Sequence, residues 1–76
     1  MPWSRPLSAP IVLKGGRVIV TLNDARVIME SLPTTSQSRD LWLYTGGLML
    51  EAATSNVPIG EAAAQLRRAL RAEGLL

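Results

Sequence analysis

The chain has no cysteine, no histidine and no phenylalanine, and Lys14 is its single lysine. Without cysteine there is no disulfide to staple the fold, and without cysteine or histidine the common ligands of a structural zinc site are missing. The same absences remove the most frequent general base and the thiolate nucleophile, so catalysis would fall to carboxylates, hydroxyls, Lys14 or the lone Tyr44. No window approaches the ~20 apolar residues of a membrane span. The opening Met1-Pro2-Trp3-Ser4-Arg5-Pro6 also lacks the uninterrupted apolar run of roughly 7 to 15 residues that a signal peptide requires. The expectation is a cytoplasmic chain with no metal and no cofactor.

Charge is scarce as well. Charged residues make up 18% of the chain, below the usual quarter or so, while the hydrophobic fraction of 47% is ordinary. So little polar surface predicts that some apolar surface is left uncovered. At 76 residues the chain has room for one core, and only about 60% of the unfolded chain's surface can be buried. With disulfides and metals gone, association with another chain is the remaining aid to stability.

Pro2, Pro6 and the serines between them and Pro10 exclude a regular helix and predict an irregular arm over residues 1–9, anchored by Trp3 on the domain's own core. From Ile11 to Thr21, β-branched aliphatics flank Gly15-Gly16, the signature of a hairpin with strands at 11–14 and 17–21. A two-residue turn would turn Ile11, Leu13, Val18 and Val20 toward the core and leave Val12, Ile19, Lys14, Arg17 and Thr21 on the other face. No third glycine or Lys-Ser/Thr completes a phosphate loop. Thr21 and Asp24 then form a capping box, opening a helix over 22–32 with Leu22, Ala25, Ile28, Met29 and Leu32 on one side before Pro33.

After a polar loop at 33–37, Ser38 is the expected N-cap of a second helix running to 55. That helix is apolar nearly all round, which a hairpin and two other helices cannot cover. Trp42, Leu43, Met49 and Leu50 are its candidate interface residues, facing a homodimer mate or another protein. Gly46 and Gly47 mark either a close approach by a neighbour or a break in the helix. Asn56, Val57 and Pro58 lead into a last helix over 58–73, with a stripe of Ile59, Ala62, Ala63, Leu66, Ala69 and Leu70 and Gly74 past its end. The whole is a single α+β domain over 10–76, a β-hairpin and three helices (ββααα) packed in two layers.

The six carboxylates, Asp24, Glu30, Asp40, Glu51, Glu61 and Glu73, are scattered among caps and helix surfaces, and Thr34, Thr35, Ser36 and Ser38 have no base near them in sequence. The chain is read as no enzyme. Arg67, Arg68 and Arg71 form the one stripe resembling a phosphate footprint. Such arginines also complement a helix C-terminus, so a solvated face is preferred and nucleic-acid binding is the runner-up. The order of these elements, with Asp24-Ala25, Leu32-Pro33, Ala52 and the closing Glu73-Gly74-Leu75, resembles over residues 9–76 the short alphaproteobacterial proteins called domain of unknown function 982. Leu32, Asn56 and Leu66 stand where that family tends to carry Trp, Gly and an aromatic. The resemblance implies no activity and no site residues. A small interaction or self-association module is the leading expectation.

Overall fold

The computed structural model describes residues 2–55 and 57–76. Met1 lies outside them, as does Asn56, which was expected to help separate the last two helices. A single 3-10 turn (Pro2–Ser4) leads into β1 (Pro6–Val12), which pairs antiparallel with β2 (Val18–Thr21). Three longer helices follow, α1 (Leu22–Glu30), α3 (Asp40–Thr54) and α4 (Gly60–Ala72), with one turn, α2 (Thr34–Gln37), between the first two. The fold is the α+β hairpin-plus-helices arrangement expected.

The hairpin register differs from the expected one by a residue. Leu13 N–H donates to the Arg17 carbonyl and Gly16 N–H to that of Leu13, so Lys14, Gly15 and Gly16 form a three-residue loop with both glycines at positive φ (93° and 92°). Ile11 therefore faces Ile19, and Val12 faces Val18. A slip of one residue moves every side chain of β2 to the other face. Ile11, Leu13 and Ile19 are buried, while Val18 and Val20, expected inside, are exposed with Val12 on the outer face. Val18-Ile19-Val20 is apolar at every position, so alternation could not choose the inward face, and the loop chose it instead.

Strand β1 also begins where an irregular arm was expected. Pro6 pairs with Thr21, and the stretch between Pro6 and Ile11 bulges, which accommodates Pro6 and Pro10 without a ladder N–H. Leu7 turns into the core from this bulge, and Trp3 packs against the core's edge. Arg5 Nη1 donates to the carbonyls of Ala52 (2.9 Å) and Val57 (2.8 Å), tying the start of the chain to the end of α3.

The Thr21–Asp24 capping box is present at α1, whose Leu22, Ala25 and Ile28 are buried. The helix ends at Glu30 rather than 32, since the residue before Pro33 is pushed out of helical geometry. Gln37 on α2 donates to the carbonyls of Glu30 and Leu32, closing that end. Ser38, the expected cap of the next helix, donates to Thr35 instead, and Arg39 takes the N-cap position without a side-chain bond. Helix α4 starts after Ile59, two residues later than expected, and buries Ala62, Ala63, Gln65, Leu66, Ala69 and Leu70. Helix α1 packs on β2 and α4 on β1, while α3 lies against α4 and the N-terminal turn. Gly74, at φ 78°, turns the chain so that the Leu75 carbonyl accepts from Lys14 N–H, joining the C-terminus to the hairpin loop.

Candidate functional site

Helix α3 is unbroken through Gly46-Gly47, with Trp42, Thr45, Met49, Ala52 and Ala53 facing inward. This corrects half of the expected interface. Trp42 and Met49 are each only 1% exposed and belong to the core, whereas Leu43 (60%) and Leu50 (53%) lie outside. Projection alone could not tell which apolar arc of so uniform a helix turns inward. Two partners outside the helix decide it. Trp42 Nε1 donates to Glu73 Oε1 at 3.0 Å, and Thr45 Oγ1 accepts from Gln65 Nε2 at 3.3 Å while donating to the Leu41 carbonyl. The inward arc is thus the one whose polar atoms find partners on or just beyond α4.

The outward face carries Leu43, Tyr44 (56% exposed) and Leu50, with Gly47 among them. Tyr44 lies about one turn before Gly47, at the edge of this face. The two glycines are not alike. A methyl group on Gly46 would touch the thioether of Met29 at 3.4 Å, so that glycine serves contact between α1 and α3. On Gly47 a methyl group would meet nothing within 4 Å. No contact within the described residues accounts for its presence. A second apolar surface is formed by Val12, Val18 and Val20 on the exposed face of the hairpin.

The arginine stripe is partly committed. Arg68 Nη1 donates to Gln65 Oε1 at 3.3 Å, which extends the Thr45–Gln65 pair to the surface. Arg71 is exposed and Arg67 is intermediate in exposure, and neither has a hydrogen-bond or ion-pair partner among the described residues. Arg26 lies 4.9 Å from the Trp3 ring centroid and its Nε is 3.6 Å from Glu30, while Arg39 lies 3.7 Å from Glu73.

Of the carboxylates scattered in sequence, two share a surface. Glu51, in the last turn of α3, and Glu61, in the first turn of α4, line a cleft of about 280 Å³ with Leu48, Ala52, Val57, Pro58 and Ala62. Both are exposed. Among the described residues, no group of three or more carboxylates is placed to hold a metal ion, and no helix is long and apolar enough to cross a membrane. No protein-family model, curated protein or solved structure matches the chain.

Proposed function

We propose that this protein is a small interaction module, without catalytic activity of its own, that works by burying the outer face of α3 against another protein chain. The observation that carries this reading is the group of Leu43, Tyr44 and Leu50 exposed around Gly47. A glycine inside a helix costs about 1 kcal/mol relative to alanine, and at Gly47 no neighbour within the described residues offsets that. Close approach by a second backbone would. Adjacent large apolar side chains left in water are, in the same sense, a common mark of a docking surface. A cytoplasmic setting and kinship with the domain of unknown function 982 family go with this reading, and neither adds an activity.

Sedimentation velocity and light scattering at micromolar concentrations, combined with binding of an apolar-surface dye, test the proposal. Self-association, or dye binding by a monomer, is expected for the native chain and should be lost in the Leu43→Glu, Leu50→Glu double variant. A native chain that remains monomeric and binds no dye would overturn it.

A further inference from the structure

We infer that the exposed face of α4 docks on the phosphate backbone of a nucleic-acid duplex, with Arg67, Arg68 and Arg71 as its contacts. This surface lies on a different helix from the α3 face and stands independently of it. Ala64 and the three arginines fall within one arc of about 100° around α4, opposite the buried Ala62, Ala63, Leu66, Ala69 and Leu70. The ordinary reason for arginines here, the negative end of the helix dipole, acts within the last turn and so accounts for Arg71 alone. Arg67 and Arg68 lie a turn further back, where spacings of i, i+4 and i, i+3 to Arg71 set like charges against each other. Among the described residues no carboxylate relieves that repulsion. Arg67 and Arg71 have no hydrogen-bond or ion-pair partner there, and Arg68 donates to the neutral Gln65. The carboxylates are engaged or placed elsewhere. Asp24 accepts from the Val20 and Thr21 amides, Glu30 pairs with Arg26, and Glu73 with Arg39. Asp40 stands in the first turn of α3, while Glu51 and Glu61 line the cleft at the other end of α4.

The chemistry of the face selects the occupant. A guanidinium meets a phosphate as a two-pronged donor, and the small Ala64 among the arginines lets the helix come close to a backbone. An anionic membrane calls for large apolar side chains beside the cations, and the arc between the arginines offers only that alanine. A protein partner calls for an apolar centre with charge at its rim, the reverse of this arrangement. A single strand calls for aromatic rings on which its bases stack, yet Trp42 is buried, Trp3 lies against Arg26, and Tyr44 stands on α3. A duplex needs none of these, because its evenly spaced phosphates bind cations without regard to base sequence.

Fluorescence anisotropy of a short labelled DNA duplex, titrated with the full chain at several salt concentrations, tests the inference, with an RNA duplex of the same sequence as a second arm. Three phosphate contacts give a log–log salt slope of about −2.7, so affinity should fall about 40-fold between roughly 50 and 200 mM salt. Arg67→Gln and Arg71→Gln should each flatten that slope by about one, and the double variant should lose most of the binding. Arg17→Gln, which removes the same charge from an exposed position on the hairpin, should leave the slope unchanged. Circular dichroism checks that each variant is folded, and Arg71→Gln, at an exposed position, carries the comparison if the double variant does not fold. Binding of either duplex supports the inference, and preference between them names its source. No binding to either duplex at low salt would overturn it, as would a salt slope in the variants equal to the native one. Tighter binding to the single strand, or to phosphatidylserine vesicles, than to either duplex would overturn the duplex as occupant.

Discussion

At the residue scale, the junction between hairpin and helices is held by one carboxylate. Asp24 Oδ2 accepts from Val20 N–H at 3.0 Å and Thr21 N–H at 3.1 Å, while Asp24 N–H donates to Thr21 Oγ1 at 3.2 Å. The Val20 amide, then that of Thr21, hold the Asp24 pKa below its ordinary 3.8; the Thr21 hydroxyl and Arg17 add to this, and desolvation opposes it. Since the folded pKa lies below the unfolded one, the stabilisation is fully present above the unfolded value of 3.8 and is lost as pH falls through the folded pKa. Acid melts followed by circular dichroism should show the native chain losing stability across that window. Asp24→Asn should be less stable at neutral pH and flatter in acid, and an unchanged acid slope would refute the assignment. This capping box was legible in the sequence because its partners lie within four residues. Glu73 was not legible as a structural residue. Its carboxylate accepts from Ser36 and Trp42, which lie 37 and 31 residues away, and no local pattern announces contacts of that span.

At the element scale, the same distinction between local and distant causes separates what could be read from what could not. The core faces of α1 and α4 followed from helical periodicity, because each has one apolar side. The hairpin followed from Gly15-Gly16, but its register did not, because β2 is apolar on both faces and a three-residue loop competes with a two-residue one. Helix α3 could be identified as over-apolar, yet its inward arc depended on Glu73 and Gln65. Its glycines give a sharper test. Gly47→Ala meets open space at an ordinary helical conformation and should stabilise the monomer by about 0.5–1 kcal/mol, a rise of a few degrees in melting temperature for a domain of this size. Gly46→Ala should gain less, because its methyl group must share space with the Met29 thioether. Thermal melts at concentrations dilute enough to keep the chain monomeric check both. Equal gains at the two sites would show that Met29 gives way freely and that Gly46 is no more a contact residue than Gly47.

At the scale of the whole molecule, stability and association become one question. The core is drawn from every longer element, with Leu7, Ile11, Leu13 and Ile19 from the hairpin and Trp42, Met49, Leu66 and Leu70 among the helical residues. Its ends are tied in as well, Arg5 to the close of α3 and Leu75 to the hairpin loop. A chain this short still buries a modest share of its surface, has no cysteine from which to form a disulfide, and among the described residues holds no group of three or more metal-ligating side chains. Anything that binds only the folded form then raises apparent stability by mass action. If that binding partner is a second copy, the melting temperature of the native chain must climb with protein concentration across the micromolar range. The Leu43→Glu, Leu50→Glu variant should melt at one temperature regardless of concentration, since both side chains are exposed and the core beneath them is unchanged. Gly47→Ala should separate the two contributions. Its added methyl group favours the isolated helix but stands between the paired backbones, so this variant should be the more stable when dilute and gain least on concentrating. A Gly47→Ala chain whose melting temperature rises with concentration as steeply as the native one would place the paired surface elsewhere, with the exposed valines of the hairpin as the next apolar surface to test.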